Sequence, residues 1–404
     1  MNKLEQAVVQ IAQKKLETGE STDKIFRPRL GTGGNFEDVF FWDTAFTAMW
    51  AKYYSDILPV EQSMDNLYRL QDDDGFISRQ YLPSGEPKWT KEHPISFAPP
   101  VLSWFELDFF KLNENKKRLQ QVYPHLKKHH FFCTENYQRD DGLFIGDPFG
   151  CGMDNLPRWP RGWDGDEDGL PLAAEHIHPT FADTKWIRDG NGYLKIFSWN
   201  WQAAYIDMSA QMAFNALCLQ QIARILEIPE DAEKFGTFHK NIKDAINEKC
   251  WNEEYKFYFD LGYDKQIERF HIGAFWTLIA GIVPEERLSP FLTYLTDPDK
   301  FGRHTPVPTL AFDDPDYNPK GGYWHGSSWA PTTYMVLKGL KTAGADDLAE
   351  KLGIKYCDAV ADLFAKTGTF WENLNPEAAV PGEPAQPDFC GWAGLVIAIK
   401  KEIL

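Results

Sequence analysis

Phe41-Trp42-Asp43-Thr44-Ala45-Phe46-Thr47-Ala48-Met49-Trp50-Ala51 is the stretch on which the fold turns. Its apolar residues continue past the quoted segment. Phe46, Met49, Trp50, Tyr53, Tyr54 and Ile57 keep the three-and-four spacing of a helix with one buried face. Asp43 and Thr44 suit an N-cap, where a short side chain accepts from a backbone N–H. Working outward, residues 3–18 predict a helix with Leu4, Val8, Ile11 and Leu16 roughly on one face, before a loop at Gly31, Gly33 and Gly34. Helices follow at 60–70, about 99–112 and 115–137. They resume from Trp199, where Ala210, Ala213, Phe214, Leu217 and Cys218 make an apolar stripe. Others are expected near 229–248, 270–280, 284–296, 325–343, 346–366 and 388–402. Strand-like alternation is scarce and no low-complexity linker breaks the chain. Paired helices with aromatic loops between them point to an all-α fold, a toroid of six hairpins forming one domain over residues 1–404.

The loops hold the chemistry. Gly150-Cys151-Gly152-Met153-Asp154-Asn155-Leu156-Pro157-Arg158-Trp159 has two glycines and a proline too close together for a helix. Met153 and Trp159 are unusual for a surface loop, so the segment reads as a fixed loop holding Asp154 at a pocket wall. Phe370-Trp371-Glu372-Asn373-Leu374-Asn375-Pro376-Glu377 has the same character, with Glu372 as its acid. Inverting glycoside hydrolysis needs such a pair, one carboxyl to protonate the leaving oxygen and one to activate water, set ~6.5–9.5 Å apart. Burial in a loop of this kind raises a carboxyl pKa toward useful values. The opposing reading is a pair of loop-capping acids, since the chain carries 59 Asp and Glu.

Composition narrows the function. The 15 Trp, 16 Tyr and 29 Phe include many tryptophans beside Gly, Asp or Asn, which suits the apolar faces and polar edges of sugar rings. The net charge of −17 argues against a nucleic-acid partner, whose phosphates demand a basic surface, and against an anionic membrane surface. No apolar run approaches the ~20 residues of a membrane span. The six cysteines are widely spaced with no zinc pattern. They read as free thiols in a reducing compartment. With no apolar leader core at the N-terminus, a cytoplasmic protein is expected. No nucleotide-binding motif or nucleophile elbow occurs, so no cofactor is expected.

Other residues admit two readings each. Asp43 is either the helix cap or an acceptor for sugar hydroxyls, and Trp42 beside it is either a stacking platform or core. Arg158 either pairs with a carboxylate or touches substrate. In Gly321-Gly322-Tyr323-Trp324-His325-Gly326, His325 is either a hydroxyl donor or a structural histidine. His176-x-His178 lacks a third ligand, so no metal is expected. Asp72-Asp73-Asp74-Gly75 lacks the alternation and terminal Glu of a calcium loop and reads as a solvated turn. The irregular stretch 139–198, rich in aromatics, is expected to roof the pocket.

From about Phe40 to Trp392 the chain resembles glycoside hydrolase family 63 and its trehalase-like relatives. Four stretches carry the resemblance in order: Phe41-Trp42-Asp43-Thr44, Gly152 to Trp159, Gly322-Tyr323-Trp324-His325-Gly326 and Trp371 to Glu377. It implies an (α/α)6 barrel and inversion at an α-linked sugar, with Asp154 as general acid and Glu372 as general base. It also implies a sugar site shaped by Trp42, Asp43, Asn155, Arg158, Trp159, Tyr323, Trp324 and His325. His325 stands where the family commonly has Arg, Leu156 where it has Ser, and Ala98 where related sequences often place Gln. Within these 404 residues the extra β-sandwich domain of large members is not expected. It resembles the short bacterial mannosylglycerate and glucosylglycerate hydrolases, so a small carbohydrate substrate is expected. The rivals are a sugar epimerase or isomerase and a non-catalytic carbohydrate-binding protein on the same toroid. Oligomeric state has no signature in the sequence.

Overall fold

The structure, a computed structural model, describes residues 3–17, 25–91, 97–146, 150–158, 203–262 and 265–404. Trp159, His176, His178 and most of the expected roof lie outside these residues. Helices dominate: α1 (Lys3–Lys14), α2 (Phe41–Ala51), α3 (Val60–Arg69), α4 (Leu102–Asn113), α5 (Lys116–Tyr137), α6 (Ile206–Ile225) and α7 (Pro229–Lys249). They continue with α8 (Trp276–Ile279), α9 (Glu285–Leu292), α10 (Ala330–Thr342), α11 (Asp346–Thr367) and α12 (Leu395–Glu402).

Their contacts close on themselves. α2 packs on α4, α4 on α6, α6 on α8, α8 on α10, α10 on α12, and α12 back on α2. The hairpin partners α3, α5, α7 and α11 lie against α2, α4, α6 and α10 respectively. Sequence explains the two layers. α2 is buried at every residue, as an element surrounded by others must be. α7 buries one stripe including Phe235, Ile242 and Ile246 and leaves the rest polar. Gly339 on α10 lies against α8, where an added Cβ would meet the Leu278 side chain at 2.8 Å, so the glycine lets the two helices approach closely.

The structure corrects several expectations. The 325–343 helix begins only at Ala330, because Ser328 is bridged to Leu374 and Trp329 is extended (φ −119°, ψ 140°). The 270–280 and 388–402 segments begin as single 3-10 turns, at Ile272–Phe275 and Trp392–Gly394. Four antiparallel ladders of two residues per strand were not foreseen: β1 (Leu16–Glu17) with β2 (Arg29–Leu30), β3 (Val39–Phe40) with β4 (Gln80–Tyr81), β5 (Trp251–Asn252) with β6 (Phe257–Tyr258), and β7 (Asp260–Leu261) with β8 (Gln266–Ile267). Such short ladders carry no periodic signal. The N-cap expectation for Asp43 and Thr44 also fails. β3 runs straight into α2, Phe40 is the cap residue without a side-chain bond, and the Phe41 N–H donates to the Arg79 carbonyl at 2.9 Å. Asp43 is therefore not the cap residue, and its carboxyl bonds to its own N–H in the first turn. Asp72–Gly75 is the expected turn, closed by the Gly75 N–H on the Asp72 carbonyl at 3.0 Å.

Candidate active site

The N-terminal ends of α2, α4, α10 and α12, with the loops before them, surround a cavity of about 240 Å³. Asp43 comes from the first turn of α2, Ala98 and Pro99 from the segment before α4, Tyr323 and Trp324 from the loop before α10, and Trp392 from the turn before α12. Asp154 and Glu372 reach the same cavity from their two loops. Four helix N-termini pointing one way favour carboxylates at this end.

Tight packing fixes the acid loop. Gly152 lies at φ 78°, and a Cβ there would meet the Trp42 ring at 2.4 Å. Only glycine allows the loop to lie on that indole. Further along, Arg158 is fully buried. Its Nη1 donates to both Asp260 oxygens at 2.9 and 3.1 Å, its Nη2 donates to Asp207, and its guanidinium lies 4.0 Å from the Tyr205 ring. Burial works against that charge, but the two carboxylates outweigh it and raise the Arg158 pKa. Arg158 is thus engaged in an ion pair and does not line the cavity.

Glu372 is 4% exposed. Its Oε1 accepts from the Tyr323 hydroxyl at 3.0 Å and its Oε2 from the Gln386 N–H at 3.1 Å. Trp392 Nε1 donates to the Glu372 carbonyl at 2.8 Å, fixing the backbone. Burial pushes the carboxyl up to about 7, with the two donors pulling the other way. Asp43 is also raised, first by burial and then by the charges of Asp154 and Glu372, against its own backbone hydrogen bond. Three carboxyl groups therefore sit within electrostatic reach of one another. Aromatic faces enclose them: Trp42 lies 6.2 Å from Trp324 and 6.0 Å from Trp392, and Trp324 stacks on Trp329 at 3.9 Å.

Of the residues singled out in the sequence, Trp42, Asp43, Asp154, Tyr323, Trp324 and Glu372 line the cavity together. Asn155 is bonded to the backbone of Gly322 and Trp324, and His325 Nδ1 lies 3.0 Å from the Asp316 carbonyl. Neither lines the cavity. The sequence reading passed over Phe36, Phe40, Arg79, Gln80, Lys88, Trp89 and Phe389, which do. Arg79 lies over the Trp89 ring at 4.3 Å, and Trp89 Nε1 donates to Gln80 Oε1 at 3.0 Å. The available signal was a tryptophan and two cations clustered in the irregular 71–97 segment. Among the described residues no group of three or more His, Cys, Asp or Glu could hold a metal ion.

Residues 38–386 match the family model described as the mannosylglycerate hydrolase MGH1-like glycoside hydrolase domain. The chain belongs to that family. A mannosylglycerate hydrolase from Rubrobacter radiotolerans is 26% identical over 272 residues, 59% of this chain and 59% of that protein. An uncharacterized protein of Borreliella burgdorferi is 24% identical over 319 residues, 78% of this chain and 59% of that protein. The chain thus spans about three fifths of the length of these curated relatives. The fold is shared with the family 63 mannosylglycerate hydrolase of Thermus thermophilus in complex with glucose. There the TM-score is 0.74 at 19% identity, over 99% of this chain and 100% of that one. The same Thermus enzyme is also known in complex with Tris and D-glycerate.

Proposed function

We propose that the protein is an inverting α-glycoside hydrolase on an (α/α)6 barrel, acting on a small α-linked glucoside or mannoside. The closed succession of helix contacts supports the barrel. The observation that carries the function is that Asp154 and Glu372, from distant loops, share one aromatic cavity. Asp154 protonates the glycosidic oxygen as the bond to the anomeric carbon breaks. Glu372 takes a proton from a water that attacks that carbon on the opposite face, so an α-linked sugar leaves as the β-anomer. Asp43 and the indole faces of Trp42 and Trp324 hold the sugar, and the nearby carboxyls favour the positive charge that develops on it. Arg158 acts from outside the cavity by anchoring the acid loop.

A cavity of about 240 Å³ falls below the ~300–1,000 Å³ of sites for drug-sized ligands, which supports a short substrate. Arg79 and Lys88 on its lining suit an acidic aglycone, and D-glycerate is the one seen in the Thermus relative. Asp154→Asn and Glu372→Gln, assayed on mannosylglycerate and glucosylglycerate, are expected to lose roughly 10²–10⁴-fold in kcat while staying folded. Near-normal turnover in either variant would remove that residue from its role.

A further inference from the structure

Asn155 follows the proposed acid, yet its carboxamide is taken up by another loop. Oδ1 accepts from the Trp324 N–H at 2.9 Å, and Nδ2 donates to the Gly322 carbonyl at 3.0 Å. These two bonds grip the backbone on either side of Tyr323. Tyr323 in turn donates its hydroxyl to Glu372 Oε1 at 3.0 Å. The tyrosine backbone lies at φ 67°, a region a bulky residue rarely occupies unless its surroundings impose it. Here the impositions are visible. Asn155 holds both neighbours, and the ring meets Trp329 edge-on at 4.9 Å.

We infer that Asn155 and Tyr323 form one mechanical link that sets the distance and orientation of Glu372 relative to Asp154. The inference rests on the acid and base assignments above and makes both residues positioning residues. The two carboxyls come from loops that share no secondary structure, while inversion needs a fixed gap wide enough for sugar and water. A pair of bonds from one carboxamide fixes rotation as well as distance, which a single bond would not. Burial and the neighbouring carboxyls raise the Tyr323 pKa, so the hydroxyl stays protonated and remains a donor. It then holds one Glu372 oxygen while the Gln386 N–H holds the other.

The test follows the titration of Glu372 by carbon-13 NMR of side-chain carboxyls, its signal assigned by loss in Glu372→Gln. Wild type, Tyr323→Phe, Asn155→Ala and the double variant are compared, with kcat and KM on mannosylglycerate measured in parallel. Losing the donor in Tyr323→Phe is expected to move the midpoint up by roughly 0.5–1 pH unit. Asn155→Ala is expected to move it the same way, with the double variant no further than the larger single shift. Its kcat should fall by up to ~100-fold with KM little changed. Asn155→Ser replaces it, under the same criteria, if the alanine variant does not fold. A folded Asn155 variant with the wild-type midpoint, or shifts that simply add in the double variant, would overturn the link. Failure of the acid–base reading shows separately, as turnover retained in Asp154→Asn or Glu372→Gln.

Discussion

At one end of the helix ring Glu372 meets a hydroxyl and a backbone N–H; at the other end Glu402 meets two lysines. Glu402 accepts from Lys338 Nζ at 2.8 Å and pairs with Lys52 at 2.9 Å, and the Tyr53 and Tyr334 hydroxyls complete its partners. Asp108 closes the set, 3.7 Å from each of the same two lysines. These groups stand at the C-terminal ends of α2, α4, α10 and α12, where cations are favoured. Burial pushes Glu402 up, but the lysines outweigh it and hold the carboxyl down at about 2. Burial without a cation takes Glu372 up to about 7. Two glutamates of ordinary pKa 4.5 thus become a fixed charge at one end and a group titrating near neutrality at the other. What sets the direction of the two shifts is the presence of a cation, more than the depth of burial.

The largest effect expected from this contrast is on activity. Glu372→Gln should lower kcat by roughly 10²–10⁴-fold, whereas Glu402→Gln should leave kcat near wild type at a temperature where the variant stays folded. A comparable loss of kcat in both, measured on the same substrate, would break the comparison.

Stability should respond in the opposite sense. A carboxyl lowered by its partners contributes stability that is full above its unfolded pKa of 4.5 and lost as pH falls toward 2. Removing the Glu402 charge leaves Lys52 and Lys338 with Asp108 alone, at a cost on the order of 3 kcal/mol. A drop in Tm of Glu402→Gln at pH 7, narrowing below pH 4, is the expected result in calorimetry. A raised carboxyl acts the other way, and Glu372 costs stability as pH climbs from 4.5 through 7. Glu372→Gln should therefore raise Tm at pH 8, with the gain shrinking toward pH 5. A Tm of Glu372→Gln below wild type at pH 8 would show that Glu372 is not strained there.

Activity should follow the same titration. The base must be ionised, so kcat/KM should fall about tenfold per pH unit below about 7. A profile flat down to pH 5 would contradict a base with this pKa. The smallest effect concerns Asp43. Because Asp43 is not the cap residue of α2, Asp43→Ala should raise KM or lower kcat while Tm stays within a degree or two. A change in Tm alone would return Asp43 to a structural role.

Much of the end that holds the cavity was legible in the sequence, and the far end was not. Helices such as 60–70, 115–137 and 346–366 were readable because their apolar spacing is set by packing on one face. Asp154 and Glu372 could be placed at a pocket because Asp154 sits among glycine, proline and tryptophan and Glu372 between tryptophan and proline, mixtures that neither helix nor solvated loop explains. Lys52, Asp108, Lys338 and Glu402 gave no such signal. Each looks like a surface charge at a helix end, and only closure of the ring brings them together. Arg79, Gln80 and Trp89 were hidden for the same reason, since the β3–β4 ladder that carries them to the cavity is two residues long. Asp43 was misread locally because the cap preference is a statement about isolated helix starts. Here β3 and the Arg79 carbonyl do the capping instead.

The most direct test of the whole account is proton NMR of the sugar first released from mannosylglycerate, glucosylglycerate and trehalose, with Asp154→Asn as the blank. The account predicts that the β-anomer appears first from mannosylglycerate or glucosylglycerate, that β- and α-glucose appear together in equal amounts from trehalose, whose leaving sugar keeps its α configuration, and that the blank releases at least ~100-fold less. First release of the α-anomer from either glycerate glycoside, or of α-glucose alone from trehalose, would contradict the two-carboxylate inverting mechanism.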